Sequence, residues 1–289
     1  MYTDTIHLKD AFPVLGEQGR DPTLTVYVPD AVTWRLALGN NIDGYSDAHV
    51  NTKEDHLRPG ILLCPGGGYG HLSGRESEPI ALQFLSSGYR VFVLHYSCAP
   101  HRYPTQLIEV AAAMELIHQN ASVWNCDTGK IAIMGFSAGG HLAAHYSTCY
   151  DCPEVRAVFP SSKAIQATIL GYPVITTEYK GITFENLAGH ELQTEEELRK
   201  FSCDQLVTDR TPPAFLWHTF LDDAASVVNT LRYAEALYRH RIPAEVHIYP
   251  YGPHGMATVD EETCTEIPSP VARASAWLND VKAWLKMML

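Results

Sequence analysis

The stretch IMGFSAGGH at residues 133–141 places a single hydroxyl, that of Ser137, among three glycines and an alanine. It ends a short apolar run and begins a segment with helical periodicity, so the chain is predicted to turn sharply from a strand into a helix at this serine. Such a turn needs residues almost without side chains two positions before and after the serine, and Gly135 and Gly139 meet that need. GFSAG also matches the pattern GxSxG, which predicts a reactive serine, whereas the competing interpretation is a glycine-rich turn with a capping serine.

Short apolar runs of this kind recur along the chain and predict strands at 23–28, 61–64, 90–96, 130–136, 167–172, 214–219 and 245–249. Segments with helical periodicity lie between several of them, at 105–119, 138–148, 226–240 and 272–288. Apolar strands separated by amphipathic helices predict an α/β fold with a mostly parallel sheet covered by helices on both faces. The early part of the sheet, before any clear helix, is predicted to be an antiparallel edge.

The chain of 289 residues is 46% hydrophobic and contains no linker-like segment, which predicts one domain over residues 1–289. Residues 173–212 interrupt the alternation of strands and helices. They contain no strong strand and carry the capped helix signal TEEELRK at 194–200. We therefore expect a cap or lid inserted over the carboxyl edge of the sheet.

The net charge of −12 argues against a nucleic-acid partner and against an anionic membrane surface. The first residues lack the basic and apolar parts of a signal peptide, and no apolar run approaches the ~18 residues of a membrane span. We expect a cytoplasmic protein whose seven cysteines are mostly free thiols and whose partner is a small molecule. A homo-oligomer is left open.

A serine hydroxyl becomes nucleophilic when a base takes its proton, so a histidine is expected near the end of a later strand. His254 lies in the loop YPYGPHGM, after the predicted strand at 245–249, between prolines and glycines that hold the loop. His218 and His247 lie inside predicted strands, where packed or hydrogen-bonded imidazoles are usual. We select His254 as the base.

The base needs a carboxylate to orient it, and Asp222 and Asp223 both follow the predicted strand at 214–219. The pattern of residues leaves both aspartates open. In either case the order along the chain is serine, aspartate, histidine, which is the order in α/β-hydrolases.

Acyl transfer also needs hydrogen-bond donors for the developing oxyanion. The segment CPGGGYG at 64–70 follows a predicted strand, and its glycines let backbone N–H groups approach a substrate closely. We name this segment the oxyanion loop after its predicted role. We select Gly67 and Gly68 as donors, with the N–H of Ala138 as the third. A phosphate-binding loop is the rival interpretation, but no Lys-Ser/Thr follows and no GxGxxG opens a helix.

Four motifs, PGGGY, GFSAGGH, WHT followed by DD, and the loop HG, together resemble the bacterial acetyl esterase and acetyl xylan esterase-related group of the α/β-hydrolase superfamily. SGRESEP at 73–79 and LGYPVI at 170–175 are similar to two further segments of this group. The resemblance implies an eight-stranded sheet, a Ser-His-Asp triad, no cofactor, and hydrolysis of short acyl esters, often sugar acetates. Counted from Trp217, the family's aspartate corresponds to Asp222 and its helix asparagine to Asn229.

Asp223 is then expected to cap the helix that follows, where free N–H groups favour an aspartate. Three aromatic residues near the predicted site, Tyr69, Phe136 and Tyr172, are candidate walls of an acyl pocket, although aromatic residues near strand ends are often core.

His141 and His145 have the i, i+4 spacing that could share a metal, but the glutamate of HExxH is absent and no metal site is predicted. Arg75 and Glu76 are expected either to brace the oxyanion loop as an ion pair or to contact substrate.

The leading hypothesis is a serine carboxylesterase that hydrolyses short-chain acyl esters, with acetylated sugars or xylo-oligosaccharides as candidate substrates. A serine peptidase of related fold is the second hypothesis, since the same triad cleaves amides. A non-catalytic binding protein with a hydrolase fold is the third.

Overall fold

The computed structural model describes residues 1–29, 57–179, 181–264 and 267–289. In this part of the chain one sheet contains eight strands in the order β1-β2-β4-β3-β5-β6-β7-β8. They are β1 (Tyr2–His7), β2 (Thr23–Val28), β3 (Arg58–Cys64), β4 (Arg90–His95), β5 (Cys126–Phe136), β6 (Ala167–Gly171), β7 (Ala214–Thr219) and β8 (Ala244–Tyr249). β2 pairs antiparallel with β1 and with β4, and every other pair is parallel. The predicted mostly parallel, eight-stranded sheet is confirmed.

The helices of the described residues alternate with the strands. They are α1 (Leu8–Ala11), α2 (Glu78–Leu85), α3 (Thr105–Gln119), α4 (Ala121–Trp124), α5 (Ser137–Cys149), α6 (Pro153–Val158), α7 (Ile182–Ala188), α8 (Glu195–Phe201), α9 (Val228–Arg239), α10 (Ser269–Ala272) and α11 (Trp277–Met288). Short 3₁₀ segments occur at Pro13–Gly19, Gly74–Glu76, Cys203–Gln205 and Arg273–Ala276. In the described ranges, none of these helices combines the length and hydropathy that a membrane crossing requires.

The core lies on both faces of the sheet because neighbouring side chains of a strand point to opposite faces. In β3, Leu62 packs into the cluster that includes residues of α3, α5 and α9. Ile61 and Leu63 pack into the second cluster, with residues of α2 and α11. All three side chains are fully buried, and each such burial contributes roughly 1.5–3 kcal/mol. This two-sided burial explains why the central strands are almost continuously apolar in sequence.

Parallel pairing brings the carboxyl ends of six described strands to one edge of the sheet, and five of them, β3, β5, β6, β7 and β8, lead into the site. The segments that leave this edge contain the oxyanion loop after β3, Ser137 after β5, Tyr172 after β6, Asp222 after β7 and His254 after β8. Residues far apart in the sequence therefore meet at the edge where ligands bind in open α/β sheets.

Two features of the fold differ from or extend the sequence-based expectations. The antiparallel edge contains a strand that was not predicted, β1, whose side chains are mostly exposed and so show no apolar pattern. Within residues 173–212 lie α7 and α8, and α8 begins with the predicted capping box, in which the Thr194 hydroxyl accepts from the N–H of Glu197. Lys180, inside the segment predicted as a cap, lies outside the described residues.

Candidate active site

Ser137 is the first residue of α5 and follows β5 directly, with a positive φ of 52°. This left-handed conformation costs a non-glycine residue roughly 1–2 kcal/mol, so packing must hold the turn. A Cβ on Gly135 would overlap the carbonyl of Gly139, and a Cβ on Gly139 would overlap the carbonyl of Cys64. The glycines two positions before and after the serine are therefore required by backbone contact.

The structure brings the three residues predicted as a triad into one chain of hydrogen bonds. His254 Nε2 lies 2.8 Å from Ser137 Oγ, and His254 Nδ1 lies 2.7 Å from Asp222 Oδ2. A carboxylate accepts only, so Nδ1 carries the hydrogen and Nε2 is free to accept the serine proton. The His254 side chain is 21% exposed, whereas the Asp222 side chain is fully buried.

The carboxylate of Asp222 is held on both oxygens. Oδ1 accepts from the backbone N–H groups of Ala224 and Ala225 at 2.9 and 2.8 Å. Burial alone would raise the pKa of Asp222, but hydrogen bonding from His218 and His254 outweighs it and holds the pKa well below its ordinary value. Asp222 is therefore ionised at neutral pH.

Asp223 is exposed and does not cap α9. The expectation of a cap is wrong, because the chain makes a further turn after Asp222 and α9 begins only at Val228, with Val227 at the cap position. Asn229, buried in the first turn of α9, accepts from the N–H groups of Ile175 and Thr176 at 2.8 and 3.0 Å. Its side chain thus connects α9 to the segment after β6.

The oxyanion loop packs directly on the serine turn, since a Cβ on Gly66 would lie 2.9 Å from the Cβ of Ser137. Gly67 and Gly68 have φ values of 122° and 61°, and their N–H groups donate no hydrogen bond to another described residue. The N–H of Ala138 belongs to the first turn of α5, where N–H groups lack an acceptor within the helix.

Glu76 braces the oxyanion loop, which is one of its two predicted roles. It does so through hydrogen bonds and not through an ion pair with Arg75. Its buried carboxylate accepts from the N–H of Gly66 at 2.8 Å and from the hydroxyl of Tyr172 at 2.8 Å. Arg75 lines the cleft at Ser137 and, within the described residues, makes no hydrogen bond or ion pair. From the other side, Asn186 of α7 donates to the carbonyl of Gly68 at 2.8 Å.

A cleft of about 390 Å³ opens over Ser137 and His254. Its lining includes Gly67, Gly68, Ile182 and Asn186. A second groove, also of about 390 Å³, runs between α7 and the loop after β7. Ile182 lines both, so the two spaces adjoin at this residue.

The three aromatic residues predicted as pocket walls do not line the cleft. Tyr69 and Phe136 are fully buried, and Tyr172 is 1% exposed. The Tyr69 hydroxyl contacts His141, and Phe136 packs edge-on against Trp277. The ring of Tyr172 packs edge-on against that of His254, with 5.0 Å between the ring centroids. The structure thus gives these side chains core and bracing roles.

His141 and His145 are buried in α5 and serve packing and hydrogen bonding. His141 Nε2 lies 2.9 Å from the carbonyl of Phe201, which leaves Nδ1 to accept from the hydroxyl of Tyr69 at 2.9 Å. Among the described residues, no group of three or more His, Cys, Asp and Glu side chains is arranged to hold a metal ion.

A family model described as BD-FAE matches residues 46–237, about two thirds of the chain. The chain belongs to the BD-FAE family. Its similarity to an endo-1,4-β-xylanase B of Butyrivibrio fibrisolvens is 36% identity over 222 residues, and to an acetylxylan esterase of Xylanibacter ruminicola 32% over 229 residues. These alignments cover 72% and 76% of this BD-FAE chain but 34% and 46% of the relatives. The chain thus spans less than half the length of either relative.

Solved structures resemble the BD-FAE chain over almost its whole length. An acetyl ester-xyloside bifunctional hydrolase from Caldicellulosiruptor lactoaceticus matches with a TM-score of 0.77 and 27% identity, covering 98% of this chain and 96% of that one. The carboxylesterase Cest-2923 from Lactobacillus plantarum matches with a TM-score of 0.79 and 26% identity, covering 99% and 98%. The predicted α/β-hydrolase fold and membership of its esterase group are confirmed.

Several residues at the site carry no clear signal in the sequence. His218 is buried and hydrogen-bonded, as its place inside a strand predicts, but its Nε2 also lies 3.3 Å from Asp222 Oδ2, which the strand pattern does not indicate. Ile182 and Asn186 reach the cleft from α7, whose sequence shows no functional pattern. The one signal available for His218 was its position four residues before the aspartate, on the same strand and loop.

Proposed function

We propose that this BD-FAE protein is a serine carboxylesterase that releases short acyl groups, acetyl above all, from esters of sugars such as xylo-oligosaccharides. The hydrogen-bonded chain from Ser137 through His254 to Asp222 is the observation that carries the proposal. It opens into a cleft lined by Gly67 and Gly68 of the oxyanion loop, whose backbone N–H groups find no acceptor in the part of the chain that the structure describes.

In the first half of the reaction, Ser137 Oγ attacks the ester carbonyl carbon while His254 Nε2 takes the hydroxyl proton. The Asp222 carboxylate holds the tautomer and stabilises the imidazolium that forms. The imidazolium then gives its proton to the leaving alcohol as the C–O bond of the ester breaks. Ser137 is left carrying the acyl group.

The tetrahedral oxyanion is received by the N–H groups of Gly67, Gly68 and Ala138. A donor of this kind contributes roughly 2.7–4 kcal/mol to transition-state stabilisation. In the second half, water attacks the acyl-enzyme with His254 as the base, the carboxylic acid leaves, and the serine hydroxyl is restored.

The surroundings of the cleft favour a sugar as the alcohol part of the ester. The groove that adjoins the cleft at Ile182 carries Tyr179, Ile182 and Phe220, which are 48%, 64% and 59% exposed. Exposed aromatic faces beside hydrogen-bonding groups such as Asp223 suit the apolar and hydroxyl faces of a sugar ring. The similarity to an acetylxylan esterase supports the same substrate class.

The test is hydrolysis of p-nitrophenyl acetate and acetylated xylo-oligosaccharides by the wild-type protein, by Ser137→Ala and by Ser86→Ala, which alters a serine outside the cleft. We expect Ser137→Ala to lose turnover at unchanged melting temperature, and Ser86→Ala to match the wild type. A fluorophosphonate probe should label Ser137. A folded Ser137→Ala protein with substantial kcat would refute the proposal, and cleavage of amino-acid anilides in preference to acetates would favour a peptidase.

A further inference from the structure

His218 occupies a position at the end of β7 that its place inside an apolar strand does not reveal. Its side chain is fully buried. Nδ1 lies 2.8 Å from the hydroxyl oxygen of Thr230, and Nε2 lies 2.9 Å from the carbonyl oxygen of Ala225. The same Nε2 lies 3.3 Å from Oδ2 of Asp222. Both ring nitrogens therefore have assigned partners.

The protonated atom of His218 follows from those partners. The carbonyl of Ala225 can only accept, so Nε2 carries a hydrogen whether the ring is neutral or cationic. In the neutral ring Nδ1 accepts from the Thr230 hydroxyl, which fixes this tautomer. The Nε2–H points mainly at the Ala225 carbonyl and presents its positive end to Asp222 as a second, longer contact.

Both oxygens of the Asp222 carboxylate therefore face N–H groups. Oδ1 accepts from the N–H groups of Ala224 and Ala225, and Oδ2 accepts from His254 Nδ1 while facing His218 Nε2. Ala225 joins the arrangement, because its N–H binds Oδ1 and its carbonyl holds the imidazole of His218. The partly exposed His254 is then not the sole group that orients Oδ2.

We propose that His218 is a positioning residue, which keeps Oδ2 of Asp222 directed at Nδ1 of His254 through an Nε2–H that Thr230 orients. The inference rests on the proposed function, because it assigns a role within the same triad. His218 does not touch the reacting atoms. Its effect is to fix the geometry in which the imidazolium is stabilised, so its loss lowers kcat and leaves KM for a small ester unchanged.

The variants that test this are His218→Phe, which keeps an aromatic ring without a donor, and His218→Gln, which restores an N–H near the Nε2 position. His247→Phe is the control, since His247 lies on β8 and stacks on Phe215 outside the cleft. With p-nitrophenyl acetate we expect His218→Phe to lose roughly 10- to 100-fold in kcat at constant KM, and His218→Gln to recover most of it. His247→Phe should match the wild type.

Thr230→Val and Thr230→Ser extend the test should His218→Phe not fold. We expect Thr230→Val to lower kcat and Thr230→Ser to retain it. Folded His218→Phe or Thr230→Val protein with kcat within twofold of the wild type would overturn the inference, as would His218→Gln no more active than His218→Phe.

A measurement that does not depend on catalysis tests the role of His218 independently of the proposed esterase activity. The hydrogen that His254 Nδ1 donates to Asp222 should give a low-field proton NMR resonance in wild-type and His218→Gln protein, and a shifted or lost resonance in His218→Phe. An unchanged resonance in folded His218→Phe counts against the inference even if the wild type hydrolyses no ester. An inactive wild type with the expected NMR pattern would refute only the esterase assignment.

Discussion

The hydroxyl of Tyr172 donates a 2.8 Å hydrogen bond to Glu76, 96 residues earlier in the chain. The same hydroxyl accepts from the N–H of Ala257 at 3.0 Å, and the other oxygen of Glu76 accepts from the N–H of Gly66. Three segments of the site are thus connected through two buried side chains: the oxyanion loop, the end of β6 and the loop that carries His254.

Tyr172→Phe removes one hydroxyl and leaves an oxygen of Glu76 and the N–H of Ala257 without their partner. A buried group that loses its hydrogen bond costs about 1–3 kcal/mol, so we expect a lower melting temperature together with a reduced kcat. The matched control is Tyr233→Phe, because the Tyr233 hydroxyl is buried without a hydrogen-bond partner among the described residues. Equal melting temperatures and equal kcat in the two variants would show that the bridge has no role.

Asp222→Asn and Asp223→Asn distinguish the proposed triad carboxylate from its neighbour. An amide at Asp222 cannot serve as the anionic acceptor for His254, and such a replacement lowers kcat by about 10⁴ in the best-studied triad. We expect a loss of that order for Asp222→Asn with p-nitrophenyl acetate. Asp223 is exposed and forms no hydrogen bond or ion pair with His254, so Asp223→Asn should keep its kcat. The opposite pattern would assign the acid to Asp223.

Features that depend on local geometry could be predicted from the sequence. The GxSxG turn, the glycines of the oxyanion loop and the ends of apolar strands are all encoded by short segments, and parallel pairing then brings Ser137, Asp222 and His254 together. The residue pattern alone leaves Asp222 and Asp223 open, and it is the family resemblance, counted from Trp217, that selects the aspartate lying against His254.

Features that depend on distant partners could not be predicted. The burial of Glu76 is set by Gly66 and Tyr172, and the burial of the three aromatic residues is set by packing across the sheet. The start of α9 at Val228 follows from the extra turn around Asp222, which no local signal indicates. β1 is mostly exposed and therefore has no apolar pattern to detect.

Gly139→Ala tests whether the serine turn depends on backbone contact. A Cβ at this position would overlap the carbonyls of Cys64 and Pro65, which belong to β3 and the oxyanion loop and cannot rotate away. We expect the free energy of unfolding to fall by several kcal/mol, which is comparable to the effect of severe overpacking in a protein core. Urea denaturation measures this loss. Gly74→Ala is the control, because a Cβ there meets nothing within 4 Å. Comparable stability of both variants would contradict the structure of the turn.

Phe220→Ala tests the groove beside the cleft as a site for the sugar. Phe220 lines the groove but not the cleft over Ser137. The variant should therefore raise KM for acetylated xylo-oligosaccharides severalfold, which corresponds to about 1 kcal/mol of lost contact with the sugar. KM for p-nitrophenyl acetate should stay unchanged. Tyr238→Ala, at an exposed aromatic residue of α9 outside the groove, provides the control. Equal effects on both substrates would exclude a sugar-specific role.

The free energy of unfolding should fall as the pH is lowered from 6.5 to 4.5. The reason is that the buried histidines, which lose stabilisation in acid, outnumber the buried carboxyl groups that gain it. Burial lowers the pKa of His141 to about 4 and that of His145 to about 3, so in this range the unfolded chain binds two protons that the folded chain does not. The contribution of these histidines to stability is complete above pH 6.5 and is lost as the pH falls toward their pKa values in the folded protein. Burial raises the pKa of Glu109 to about 7 against the hydrogen bonds from Ser97, so its contribution is complete below pH 4.5 and is lost as pH rises.

The slopes of unfolding free energy against pH therefore distinguish these groups, since each proton contributes about 1.4 kcal/mol per pH unit. The wild type should gain stability as the pH rises from 4.5 to 6.5. His95 and His118, whose pKa values burial also lowers, act in the same direction as His141 and His145. Asp204, whose pKa burial raises, acts with Glu109. His141→Gln should flatten this slope and Glu109→Gln should steepen it, whatever either variant does to absolute stability. Urea denaturation at pH 4.5, 5.5 and 6.5 measures all three slopes. A Glu109→Gln slope equal to or shallower than the wild type would mean that the Glu109 carboxyl is already ionised in the folded protein, held by Ser97.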